Sequence, residues 1–268
     1  KTPVVIALVE HLRARGIAAG VVSRGYGRRG SGCREVTPDA AALAVGDEPL
    51  LVKRRTGVPV FVAARRAEAA RALLAAYPGT RVIVSDDGLQ HHALARDLEI
   101  CVFDARATGN GWLLPAGPLR EPWPRPVDLV LRPREASRIA GFELRRALAA
   151  SAVRADGERT PLAALRDRPL HALAGIASPE AFFAMLRARG LSLAATTALP
   201  DHHDFGDAAA LAPAATLVCT EKDAVKLWRL RPDAWAVPLA LEIEPSFWSA
   251  FDRLLDARLS SPHGSPTA

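Results

Sequence analysis

Val82-Ile83-Val84-Ser85-Asp86-Asp87-Gly88-Leu89-Gln90-His91 is a short apolar run that stops abruptly at two carboxylates and a glycine. A β-branched apolar run of this length reads as a strand buried on both faces of an α/β sheet. Ligands in such sheets collect at the carboxyl ends of the strands. Asp86 and Asp87 therefore stand where a phosphate and its Mg²⁺ would be bound, and the competing reading of Asp87-Gly88 is a hairpin turn.

The amino-terminal residues bear on that choice. Lys1-Thr2-Pro3 leads straight into Val4-Val5-Ile6-Ala7-Leu8-Val9-Glu10-His11-Leu12, an amphipathic helical pattern. A Lys-Thr pair opening a helix is how a phosphate-binding loop ends: the lysine reaches the β and γ oxygens and the hydroxyl holds Mg²⁺. The glycines that would precede it are not in this sequence, so the expectation is a chain cut within that motif. With the Asp-Asp strand end, the pair points to a nucleoside-triphosphate site.

The 268 residues, 49% of them hydrophobic, suffice for one large α/β domain or two smaller ones. Only four of the 35 basic residues are lysines, Lys1, Lys53, Lys222 and Lys226, and the net charge is +6. No arginine run is interleaved with aromatics, which argues against a nucleic-acid partner. Cys33, Cys101 and Cys219 lack metal spacing and fit a reducing compartment. No stretch approaches the roughly 18 apolar residues of a spanning helix.

Along the chain, strand and helix patterns alternate: strands at 18–23, 58–63, 81–85, 98–104 and 127–132, with a helix at 65–76. This rhythm predicts a mostly parallel sheet. From 141 to 168 the pattern turns polar and alternating around Asp156-Gly157, a hairpin signal. A second, smaller α/β unit follows, with strands at 170–176, 193–197 and 216–219, helices at 179–189 and 223–229, and a last helix over 244–258. The expected fold class is α/β: a P-loop-type domain at 1–140, a hairpin linker at 141–168, a second domain at 169–259 and a disordered tail at 260–268.

Four further segments can carry chemistry. Gly46-Asp47-Glu48-Pro49 sets two carboxylates before an apolar helix-like stretch, where helix capping is the plainer reading. Asp201-His202-His203-Asp204-Phe205 could hold a metal, but one histidine partnering a carboxylate or carrying a proton suits adjacent loop side chains better. Gly109-Asn110-Gly111-Trp112-Leu113-Leu114-Pro115-Ala116-Gly117-Pro118-Leu119-Arg120-Glu121 is a shaped loop, with Arg120 and Glu121 suited to phosphate and metal respectively. Thr220-Glu221-Lys222-Asp223 approximates the base-reading motif of GTPases with its lysine one place late; a helix cap by Thr220 is the alternative.

Taken in order, these segments, with Ser23-Arg24-Gly25-Tyr26-Gly27 and the continuation to Lys226, closely resemble the tetraacyldisaccharide 4'-kinases of lipid A biosynthesis. The likeness extends to about Leu259, and its most specific parts are Asp86 to His91 and Leu113 to Glu121. The resemblance implies transfer of the ATP γ-phosphoryl to the 4'-hydroxyl of a tetraacylated glucosamine disaccharide 1-phosphate, with ATP and Mg²⁺ as cofactors. By position it implies Asp47 as catalytic base partnered by His202. Lys1, Thr2, Glu48, Gln90, His91 and Arg120 would lie on the nucleotide side, Ser23 and Arg24 near substrate, and Thr2, Asp86, Asp87 and Glu121 near the metal. It also implies a membrane-associating helix, a first strand and a glycine loop before position 1, hence an isolated 268-residue fragment without activity. The expected setting is a monomer at the cytoplasmic face of the bacterial inner membrane, meeting a lipid A precursor and no nucleic acid. The alternative kept open is a P-loop GTPase or metallochaperone-type switch protein.

Overall fold

The computed structural model describes residues 1–203, 205 and 216–260; Asp204 of the histidine segment and the tail at 261–268 lie outside the described residues. The elements in order are α1 (Thr2–Ala14), β1 (Ala19–Ser23), β2 (Arg34–Glu35), α2 (Ala42–Val45), α3 (Asp47–Thr56), β3 (Val60–Val62), α4 (Arg66–Ala76), β4 (Val82–Ser85), β5 (Ile100–Val102), β6 (Leu129–Arg132), β7 (Phe142–Leu148), β8 (Ser151–Val153), β9 (Arg159–Pro161), β10 (Leu170–Ala174), α5 (Pro179–Ala188), β11 (Leu193–Ala198), β12 (Thr216–Thr220), α6 (Glu221–Leu227), β13 (Trp235–Val237), β14 (Leu239–Ile243) and α7 (Pro245–Ser260).

These elements pack into two compact units that interleave along the chain. The larger comprises Thr2–Asp86 and Ala147–Ala240, the smaller Lys1, Asp87–Arg146 and residues 241–260. The sequence suggested a linear division instead, because composition registers where a pattern changes and not which segments return to pack together.

In the larger unit one sheet has the order β2-β3-β1-β4. Its centre, β1, is parallel to both β3 and β4, with Val21 beside Val60 and Val84. All five residues of β1 are buried, as expected of a strand covered on both faces by helices. Gly20 in this strand has a steric reason: a Cβ there would meet Leu73 Cδ1 of α4 at 2.6 Å. Helix α1 buries Val4, Val5, Ile6, Leu8, Val9 and Leu12, and several of these join Val21, Val60, Leu50 and Val225 in one core.

The second sheet of this unit has the order β11-β10-β12-β13-β8-β9. β10, β11, β12 and β13 pair in parallel. The hairpin expected around Asp156-Gly157 is present as β8 and β9, but it is no free-standing linker. Ala236 of β13 pairs with Val153 of β8, so the hairpin extends this sheet. Leu170, Ala172, Phe182, Phe183 and Leu186 form the core beneath it. On another side of the sheet, Ala224 and Leu227 of α6 pack with Leu173, Leu217 and Cys219.

The smaller unit holds a sheet of order β14-β7-β6-β5, parallel between β5 and β6 and between β6 and β7. Phe247 of α7 meets Phe142 of β7 edge-on at 5.7 Å. β4 and β5 lie in different sheets, so Asp87-Gly88 is not the tip of a hairpin; Asp87 adopts φ +51° in a turn after β4.

Candidate active site

In the larger unit the site grows from the contact between α3 and α6. Gly46, with φ +96° and ψ 150°, precedes α3 and brings its backbone against Tyr26, whose carbonyl oxygen would lie 3.1 Å from a Cβ at position 46. Asp47 is therefore the first residue of the helix. The N-cap position belongs to Gly46 and not to Asp47, which sets aside the capping reading. A carboxylate in a first helical turn is favoured by the helix dipole.

The Asp47 carboxylate is nearly buried and turns toward two partners, His202 and Lys226, that the fold brings from far along the chain. His202 Nδ1 lies 3.0 Å from its Oδ2. Lys226 Nζ lies 2.8 Å from the same oxygen, with both side chains only 9% exposed. Lys222, one turn earlier on α6, reaches Asp201 Oδ1 at 2.8 Å, His202 Nε2 at 3.3 Å and Glu48 Oε1 at 3.5 Å. Burial works to lower the Lys222 pKa, but its bond to Asp201 and the charges of Glu48, Asp201 and Asp47 outweigh it and hold the ammonium above its usual range. For Asp201, burial pulls upward and the Lys222 bond outweighs it, so the carboxyl lies below the usual range. The Tyr26 ring stands 5.6 Å from that of His202.

The Thr220-Glu221-Lys222-Asp223 segment is absorbed by this architecture. Thr220 caps α6, its hydroxyl accepting from Asp223 N at 3.2 Å and donating to Asp223 Oδ2 at 2.6 Å. The same Oδ2 accepts from Gly175 N at 3.1 Å, and the Gly175 carbonyl accepts from His202 N at 3.3 Å. Asp223 thus supports the histidine through the main chain. Burial raises the Asp223 pKa against those hydrogen bonds and the charges of Lys222 and Lys226.

Among the remaining sequence candidates in this unit, Ser23 is buried at the end of β1 and Arg24 is exposed. Thr2 opens α1, and Asp86 is buried just after β4, its amide donating to Val22 O at 2.9 Å.

The smaller unit gathers the others. Asp87 accepts from Lys1 Nζ at 2.5 Å and from Arg120 Nη1 at 3.0 Å. Burial would raise its pKa, yet these two cations together hold it below the usual carboxylate range. Gln90 donates to Glu121 Oε1 at 2.6 Å, and Arg125 Nε lies 3.0 Å from Glu121 Oε2. Arg120 also reaches Gln90 Oε1 at 3.4 Å, and the His91 amide closes a turn on Gly88 O at 2.9 Å. The 109–121 loop is shaped by its own bonds, from Leu114 N to Leu119 O at 2.8 Å and from Gly117 N to Leu113 O at 2.9 Å.

Among the described residues no group of three or more His, Cys, Asp or Glu side chains converges to hold a metal ion. Mg²⁺ is commonly held through one or two carboxylates plus substrate phosphates. Thr2 and Asp86 offer hard oxygen donors of the right chemistry, whereas Asp87 and Glu121 are engaged by cations here.

Comparison with known proteins decides the family. The sequence model of tetraacyldisaccharide-1-P 4'-kinases matches residues 1–258. The chain belongs to this family. A tetraacyldisaccharide 4'-kinase from Acidovorax sp. (strain JS42) is 59% identical over 98% of this chain and 79% of the relative. One from Dechloromonas aromatica is 46% identical over 92% and 77%. Among solved structures, the family member from Aquifex aeolicus in complex with ATP matches with a TM-score of 0.82 and 25% identity, covering 97% of this chain and 84% of that one. The α/β P-loop kinase fold expected from the sequence is thereby shown, and the switch-protein alternative is not favoured.

Sequence reasoning named Asp47 and His202 but gave no role to Lys226 or Lys222. The available signal was the pair of lysines at i and i+4 right after a buried strand, in a chain with only four lysines.

Proposed function

We propose that the chain transfers the γ-phosphoryl of ATP to the 4'-hydroxyl of a tetraacyldisaccharide 1-phosphate, with Asp47 as the base and His202 as its partner. The observation that carries this reading is the 3.0 Å approach of His202 Nδ1 to Asp47 Oδ2, from positions far apart in sequence, at the start of a helix.

Phosphoryl transfer asks mainly for positioning and charge neutralisation. Asp47 accepts the acceptor hydroxyl proton as the new O–P bond forms and the bond to the ADP leaving group breaks. His202 orients the carboxylate. Lys1 and Arg120, gathered by Asp87, offer cations to the phosphates. Bound Mg²⁺ would neutralise charge on the nucleotide phosphates, with Thr2 and Asp86 as its protein donors. In the larger unit Glu48 is assigned to the nucleotide and Ser23 and Arg24 to the acceptor; in the smaller unit Gln90 and His91 are assigned to the nucleotide.

Because the acceptor is a lipid precursor, the enzyme works at the cytoplasmic face of the inner membrane as a peripheral protein. No helix among the described residues is long and apolar enough to cross a membrane.

The test is Asp47→Asn. In a full-length version of the protein turnover should fall by about 10²–10⁴-fold, the usual contribution of a positioned base, while ATP binding stays intact. Parental turnover in this variant would sink the assignment.

A further inference from the structure

Lys226 has no place in the reading above, yet it touches both members of the Asp47–His202 pair. Its ammonium lies 2.8 Å from Asp47 Oδ2 and donates to the His202 carbonyl oxygen at 3.1 Å. His202 needs such a tie, because its φ is +63°, a left-handed conformation that non-glycine residues adopt only under constraint. A nearly buried carboxylate is costly without a paired charge, and Lys226 supplies it. His202 and Lys226 both take Oδ2.

Lys222 acts on the other side of the ring. A lysine ammonium only donates, so with Lys222 Nζ 3.3 Å from Nε2 that nitrogen is the acceptor and the ring hydrogen sits on Nδ1. The Nδ1–H then points at Asp47 Oδ2. The tautomer of a histidine is set in this way by the partner of its other nitrogen.

We propose that Lys226 is a positioning residue for the phosphotransfer base, locking the Asp47 carboxylate and the His202 main chain in one geometry, and that Lys222 fixes the His202 tautomer. The proposal rests on the assignment of Asp47 as base.

The experiment is steady-state kinetics on the full-length protein carrying Lys226→Met, Lys226→Arg or Lys222→Met, beside Asp47→Asn. Lys226→Met should lower kcat by about a hundredfold, the low end of what a positioned base contributes. KM for ATP and for the acceptor should stay within about threefold, as for loss of an interaction that matters in the transition state. Lys226→Arg, which keeps the charge and the donors, should recover about tenfold of that loss. Imidazole ¹⁵N shifts of His202 should report hydrogen on Nδ1 in the parent and a tautomer mixture in Lys222→Met.

A parental kcat in Lys226→Met, or a loss confined to KM, overturns the role of Lys226; unchanged ¹⁵N shifts overturn that of Lys222. If Lys226→Met does not fold, Lys226→Arg and Lys226→Gln decide, and a parental kcat in Lys226→Gln is fatal to the proposal. Activity in Asp47→Asn would strike the underlying assignment. An inactive Asp47→Asn beside a fully active Lys226→Met would strike this proposal alone.

Discussion

Asp223 offers the sharpest test of how the site is held together, because one buried oxygen does two tasks. Its side chain is 2% exposed, and Oδ2 accepts from Gly175 N at 3.1 Å and from Thr220 Oγ1 at 2.6 Å. Asp223→Ala removes the acceptor for both donors. A buried donor left unsatisfied costs roughly 1–3 kcal/mol, so the pair amounts to about 4 kcal/mol. For a chain of this size that corresponds to a fall in Tm of roughly 8–16 °C.

Asp223→Asn keeps an acceptor oxygen in place and should cost about 1 kcal/mol or less at neutral pH. The pH dependence has a definite sign. Burial holds the folded-state pKa of Asp223 above its unfolded value of about 3.9. Between those two values the native state binds more protons than the unfolded one, so stability falls as pH rises through the window and stays lower above it. Asparagine carries no such penalty. The Tm of Asp223→Asn relative to the parent should therefore be more favourable at pH 7 than at pH 4. Thermal unfolding by circular dichroism at both pH values measures it. An alanine variant within about 1 kcal/mol of the parent, or an asparagine variant as unstable as the alanine one, would refute the reasoning.

Two further outcomes follow from the geometry. Gly46→Ala places a Cβ 3.1 Å from the Tyr26 carbonyl at φ +96°, and strain of about 1–3 kcal/mol should lower Tm and, by displacing the next residue Asp47, turnover as well. Glu99→Gln should cost about 1–3 kcal/mol at pH 7, because Arg125 at 2.8 Å and Arg96 at 2.6 Å lose their charged partner. In Glu99 burial pulls the pKa up, and the two arginines outweigh it and hold it below the unfolded value. That stabilisation is present above about pH 4.3 and is lost as pH falls through the folded pKa. Urea titrations at pH 7 and in acid should show the deficit shrinking; equal deficits would count against the ion-pair account.

Much of the fold is legible in the sequence wherever apolar β-branched runs alternate with amphipathic helices. β1, β3, β4, β10 and β12 and the helices α1, α4, α5 and α7 appear where the pattern places them, within a residue or two. Strands β2 and β13, at two and three residues, are too short for any periodicity, and β14 follows β13 with only Pro238 between. The division of the chain is illegible for a different reason: which segments return to a common unit is settled by tertiary packing. In the site, Asp47 and His202 were named together only through the family resemblance, since nothing local links residues 155 apart. Lys226 stood in the same motif, but its meaning depends on the packing of α3 against α6, which no linear pattern displays.

The order of strands in the smaller unit bears on how the chain is made. β7 pairs on one side with β6, its predecessor in the sequence, and on the other with β14, which arrives only after the remainder of the larger unit. During synthesis β7 therefore waits with one edge open from Leu148 until Leu239 emerges, offering unpaired main-chain groups to any passing strand. Its residues Glu143, Arg145 and Arg146 put charge along that waiting edge. Late in the chain, β14 meets that charge with its own, Arg145 pairing with Glu242. The same side chains that discourage a wrong neighbour before β14 exists would thus select the right one when it comes.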